Sequence, residues 1–134
     1  MLPILILLAG AVFTAPVALA DVAAFERPSN PESLGAYVRN YFSDAPVMTD
    51  IAWCESRFRH VNEDGSIFRG RKVKEDIGVM QINTRYHGEK AGKLGIDLYS
   101  LDGNLAYAKY LYIREGTVPW NSSRKCWDTL AFAK

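Results

Sequence analysis

The sequence predicts a mainly α-helical domain with one small, irregular β-hairpin, and two observations carry that reading. Apolar residues recur at steps of three and four in three stretches: Leu34, Tyr37, Val38 and Tyr41, then Met48, Ile51 and Ala52, then Leu101, Leu105, Ala108, Leu111 and Tyr112. That spacing places side chains on one face of a helix. Between the second stretch and the third, Asp64-Gly65 is a tight-turn signal flanked by short β-capable pieces, His60-Val61 before it and Ile67-Phe68 after it.

In chain order, the first twenty residues carry no charged side chain, and Leu2 to Val12 is an apolar run broken only by Pro3 and Gly10. Ala18-Leu19-Ala20 then forms a small-x-small pattern, so residues 1–20 read as a secretory signal peptide cleaved before Asp21. The departure is an n-region without Lys or Arg. A membrane anchor would need ~20 spanning residues, more than this run supplies. Residues 21–46 form a polar leader and a first helix, capped by Ser29 or Asn30 with Pro31 at its first position. Asp44-Ala45-Pro46 breaks the chain, and a second helix follows to about Arg59. Helix resumes from Gln81, with Gly88, Gly92 and Gly95 punctuating short segments. The longest helix follows, ending at Gly116. Pro119-Trp120 turns the chain into a short terminal helix carrying Trp127, Leu130 and Phe132. Residues 47–134 are expected to form one domain.

Composition narrows the function classes. Sixteen basic and fifteen acidic residues give a net charge of +1, which offers nucleic acid no basic face. Arg69, Arg71, Lys72 and Lys74 form a local basic cluster that reads as a solvated loop or a contact for an anionic polymer. Two cysteines, Cys54 and Cys126, in an exported chain suggest a disulfide, with two buried thiols as the alternative. His60-x-Asn62-x-Asp64-Gly65 fails as a calcium loop, because its first position is His and its twelfth is Arg71. There is no HExxH and no glycine-rich phosphate loop, so neither metal nor cofactor is expected. Asn121-Ser122-Ser123 is a formal glycosylation acceptor, meaningful only in a eukaryotic secretory pathway.

The residue that stands out is Glu55. Met48, Ile51, Ala52, Glu55 and Phe58 share one helical face, and four of the five are apolar. A carboxyl buried among such neighbours has its charged form disfavoured, so it stays protonated near neutral pH and can give its proton to a leaving group. Ile51 and Phe58 are expected to supply the dry wall.

Cys54-Glu55-Ser56 near a helix end, followed after a hairpin-like insert by Gly78-Val79-Met80-Gln81-Ile82-Asn83, resembles the lytic transglycosylase domain of the lysozyme-like superfamily. That family carries a catalytic Glu followed by Ser, then a Gly-Leu-Met-Gln-like segment; here Val79 stands in place of Leu. The resemblance spans roughly residues 47–127 and implies a two-lobed, lysozyme-like body with a central cleft. It also implies Glu55 as the catalytic residue, with Ser56, Gly78, Met80, Gln81 and Asn83 beside the saccharide. Gly78 would let the backbone approach the sugar and Met80 would offer it a flexible apolar surface. A family Ala-Tyr-Asn segment is matched only in part by Ala106-Tyr107-Ala108. On one alignment Tyr107 faces the catalytic carboxyl. On the other, Asn104-Leu105 begins a preceding family helix and Tyr107 is a packing residue. Trp120 reads either as an aromatic platform or as core around Cys126. A Cys before the catalytic Glu, with a late partner near Trp, also resembles the resuscitation-promoting factors.

The resemblance implies cleavage of the β-1,4 bond between N-acetylmuramic acid and N-acetylglucosamine in peptidoglycan. One glutamate would act as acid and then base, giving a 1,6-anhydro product, and the protein would work as an exported monomer. The alternative is a hydrolytic lysozyme, which needs a second carboxylate. Glu63, Asp64 and Asp76 are the candidates. Asn83 stands where goose-type lysozymes, which share the Gly-Leu-Met-Gln segment, carry an acid. A non-catalytic peptidoglycan-binding protein on the same fold is a third reading.

Overall fold

Asn30 caps the first helix, as one of the two alternatives expects. Its side chain accepts a hydrogen bond from the Ser33 N–H at 2.9 Å, and Pro31 fills the first turn, where its missing N–H costs nothing. The computed structural model describes residues 30–132. The expected signal peptide and the leader to Ser29 lie outside the described residues.

Helix α1 spans Pro31–Tyr41 and buries Leu34, Gly35 and Val38. Helix α2, Val47–Ser56, buries Met48, Ile51 and Ala52, the expected stripe. It stops at Ser56 and does not reach Arg59. Arg57 and Phe58 both adopt positive φ, 56° and 55°. The Ser56 hydroxyl donates to the Ala52 carbonyl at 3.0 Å and accepts from the Arg59 N–H at 3.2 Å, so a side chain takes over the ladder. The left-handed step swings Phe58 out of the helical period and onto α1. A Cβ on Gly35 would lie 2.8 Å from the Phe58 ring, so α1 carries glycine where that ring presses against it.

The expected pairing around Asp64-Gly65 is a single antiparallel bridge, Val61 with Ile67, beside a Phe68 N–H to His60 carbonyl bond of 2.9 Å. The ladder proper lies further on. Strand β1, Asp76–Ile77, pairs with β2, Ile82–Asn83, in the register Asp76 to Asn83 and Ile77 to Ile82. Arg69 bridges Ile77 on the other side of β1. Residues 78–81 are therefore the tip of a hairpin and not the start of a helix. Helix α3, Thr84–Lys93, begins only after Asn83, whose side chain accepts from the Arg85 and Tyr86 N–H groups.

Helix α4, Leu101–Glu115, is capped by Ser100 and buries Leu101, Leu105, Ala108 and Leu111. A 3₁₀ helix, Val118–Ser123, leads into α5, Arg124–Phe132. The described residues thus form a mainly helical fold with one two-stranded antiparallel sheet. Val38, Phe42, Met48, Ile51, Ile77 and Leu105 are fully buried and join the helices to the sheet. Cys54 and Cys126 form a disulfide with Cα atoms 5.9 Å apart, along the seam where α2 packs most extensively, against α5. Among the described residues no helix is long and apolar enough to cross a membrane.

Candidate active site

The hairpin tip is held by side chains from three other elements. Asn104 of α4 is fully buried; its Oδ1 accepts from the Met80 N–H at 2.9 Å, and its amide donates to the Ile77 and Leu98 carbonyls, both at 3.1 Å. The Trp120 indole N–H donates to the Met80 carbonyl at 3.0 Å. His60, also buried, accepts from the Val79 N–H through Nδ1 at 3.2 Å. Its Nε2 therefore carries the proton and donates to the Tyr99 carbonyl at 2.9 Å. Burial pushes the His60 pKa down, which keeps the ring neutral for that arrangement.

Gly78 sits at φ 71°, and a Cβ there would lie 2.6 Å from Asn104 Nδ2 and 2.7 Å from His60 Nδ1. The glycine is thus required by the supports behind the loop. Gln81 adopts φ 51°, and its side-chain amide donates back to the Gly78 carbonyl at 2.9 Å. A non-glycine residue in that region is sparsely populated and persists only where its surroundings over-determine it.

The hairpin contributes Asp76, Gln81 and Asn83 to the lining of a cleft of about 430 Å³ that also includes Glu55 and Trp120. Tyr86 and His87 of α3 face the same space, and Tyr86 is 78% exposed. A larger groove of about 870 Å³ runs past Leu34, Phe58, His60 and Tyr99 and holds Glu63 and Asp64. It shares no lining residue with the first. The smaller cleft is the one that holds a carboxyl whose pKa burial raises.

Glu55 is half-buried, and burial raises its pKa above the ordinary glutamate value. A hydrogen bond from the Ser123 hydroxyl to Oε1, 2.6 Å long, pulls the other way, and the charge of Asp76 adds to the rise. Asp76 in turn accepts from Asn83 Nδ2 at 2.7 Å, across the β1–β2 pair. Among the described residues no group of three or more His, Cys, Asp or Glu side chains converges where a metal ion would sit.

Of the residues expected from sequence, the fold brings Glu55, Gln81, Asn83 and Trp120 to one cleft. Others take different places. Ser56 is 2% exposed and spends its hydroxyl on the helix end. The Met80 side chain is fully buried and does not offer a sugar the expected apolar surface; its backbone N–H and carbonyl are bonded to Asn104 and Trp120. Tyr107 is 1% exposed and reaches the cleft only through His87, whose Nδ1 lies 3.2 Å from its hydroxyl. Trp120 shows the cleft little surface, being 3% exposed. Phe58 and Ile51 do not line the cleft; its apolar surface includes Val73, Pro119 and Trp120. Ser123, His60 and the supporting role of Asn104 escaped sequence reading, since each acts on a partner at least nineteen residues away.

No family model, curated protein or solved structure matches the chain.

Proposed function

We propose that this protein is a lytic transglycosylase of the lysozyme-like superfamily. It would cleave the β-1,4 bond between N-acetylmuramic acid and N-acetylglucosamine in peptidoglycan. The single observation that carries the reading is Glu55, a half-buried carboxyl at a helix end, held above its ordinary pKa by burial and opening on a cleft beside Gln81 and Asn83. The finer view of the fold as two lobes about a central cleft belongs to the same proposal, as does export, with which the Cys54–Cys126 disulfide agrees.

Glu55 gives its proton to the glycosidic oxygen, and the bond to the muramic acid C1 breaks with its electron pair going to that oxygen. The 2-acetamido oxygen stabilises the cationic carbon. Glu55, now a carboxylate, takes the proton of the 6-hydroxyl, whose oxygen bonds C1 and closes a 1,6-anhydro ring. One carboxyl is enough because the substrate supplies the second group.

A second reading is favoured by one observation. Of the three candidate bases for hydrolysis, Asp76 alone faces the cleft of Glu55, whereas Glu63 and Asp64 lie in the other groove. Asp76 holding a water would make the protein a muramidase. Mass spectrometry of fragments released from purified peptidoglycan separates the two. Anhydro-muramic ends, lighter by one water, are expected, and Asp76→Asn should leave that product in place. Reducing ends that vanish in Asp76→Asn would install the hydrolase. Cleavage that survives Glu55→Gln would remove Glu55 as the acid of either reading, whereas a parent protein that binds peptidoglycan and releases no fragment would leave a saccharide-binding role.

A further inference from the structure

We propose that Ser123 is the positioning residue of Glu55: it holds Oε1, leaves Oε2 to carry the transferable proton, and tightens its hold when that proton departs. The inference rests on the acid–base reading of Glu55 and deepens it.

The argument starts from the inventory of one hydroxyl. Ser123 Oγ lies 2.6 Å from Glu55 Oε1 and 3.1 Å from the Trp120 carbonyl oxygen. A serine has a single proton to donate, so it serves one acceptor at a time. The carboxylate wins when Glu55 is ionised, because a hydrogen bond to a charged acceptor is roughly twice as strong as one between neutral groups. The Trp120 carbonyl is not orphaned by that choice, since the Trp127 indole N–H donates to it at 3.1 Å. When Glu55 is protonated on Oε2, Oε1 is an uncharged carbonyl oxygen and the two acceptors become comparable. The hydroxyl then has two resting directions a bond rotation apart, while Oγ itself stays fixed.

The balance of the step follows. As Glu55 loses its proton to the glycosidic oxygen, the hydroxyl turns fully to Oε1 and stabilises the new carboxylate where water is scarce. As Glu55 recovers a proton from the 6-hydroxyl, that bond relaxes. Burial and Asp76 favour the acid form and Ser123 favours the base form, so the same group serves both halves of the reaction.

The backbone fixes the pair as well. Cys54 immediately precedes Glu55, and Cys126 lies three residues after Ser123, so the disulfide ties the strip carrying the acid to the strip carrying the hydroxyl.

The test compares Ser123→Ala and Ser123→Thr with the parent, each as the disulfide-bonded mature chain. Two quantities are read: the pH profile of peptidoglycan cleavage, and the ¹³C resonance of the Glu55 carboxyl against pH. Glu75 and Asp76 from the β1 edge, Arg85 and His87 of α3, and Glu115 of α4 also face the cleft. Reading the Glu55 resonance itself keeps their titrations apart. Ser123→Ala should lower kcat roughly tenfold with KM little changed, as losing a bond to a charged group implies. It should also move the Glu55 titration to higher pH, whereas Ser123→Thr keeps both near the parent. A folded alanine variant with the parent's titration overturns the proposal, and so does a folded threonine variant as impaired as alanine. Unchanged cleavage by Glu55→Gln would sink the acid reading alone, and the carboxyl titration would still decide the role of Ser123.

Discussion

Glu55 is a carboxyl that the fold buries at a cost in stability. Its carboxyl is neutral in both the folded and the unfolded chain below the ordinary glutamate range, near pH 4. As pH rises, the unfolded chain ionises freely while burial resists ionisation in the fold, so the unfolded chain binds fewer protons and stability falls through the folded pKa. Glu55→Gln keeps an oxygen for the Ser123 hydroxyl and removes the charge. It should therefore melt above the parent at pH 7, with the gap closing as pH is lowered past 4. A gap that is constant with pH, or a parent that melts higher at pH 7, would mean that the carboxylate is well solvated. Backbone tension gathers at the same place. Arg57, Phe58 and Gln81 are the non-glycine residues with positive φ among those described, two at the end of the helix carrying Glu55 and one on the opposite wall of the cleft.

At the scale of elements, the hairpin tip sets where Gln81 meets that cleft. Two-residue strands cannot hold a loop by themselves, and residues 78–81 depend on Asn104, His60 and Trp120 behind them. Asn104→Ala removes three buried hydrogen bonds and leaves the Met80 N–H with no acceptor where water does not reach. A loss of about 2–4 kcal/mol in denaturant unfolding is expected, and on the proposed function a weaker cleavage of peptidoglycan as Gln81 loses its setting. A loss below about 1 kcal/mol would show that the loop stands without α4. The same dependence explains what the sequence could say. Helices α1, α2 and α4 were legible because their signal is periodic and local, and Asn30 and Pro31 marked an entrance by their own chemistry. The hairpin 76–83 was not, since its strands are too short to alternate and its supports lie far away in sequence. Gln81 therefore read as the start of a helix that begins at Thr84. Met80 illustrates the limit at the site: an apolar residue in a motif looks the same whether it faces a sugar or, as here, the core. The Gly78-to-Asn83 segment does bring Gln81 and Asn83 to the cleft of Glu55, but the surroundings of each side chain needed three dimensions.

For the whole molecule the decisive link is the seam between α2 and α5, because it joins the helix bearing Glu55 to the segment bearing Ser123. Trp127 contributes buried apolar surface near this seam, and the Cys54–Cys126 bond is the covalent closure across a sequence separation of 72. In the chain-entropy description a loop of that size gains about 4 kcal/mol from its crosslink, an upper figure for the native state. The double variant Cys54→Ser, Cys126→Ser should therefore lose up to about that much stability. Where it remains folded, the proposed cleavage of peptidoglycan should slow, because Ser123 is no longer pinned beside the carboxyl. Reductant added to the parent should reproduce both losses, and added to the double variant should change nothing. Were the reduced parent to melt and cleave as the oxidised form does, packing alone would be holding the seam, and the placement of Ser123 would owe nothing to the bridge.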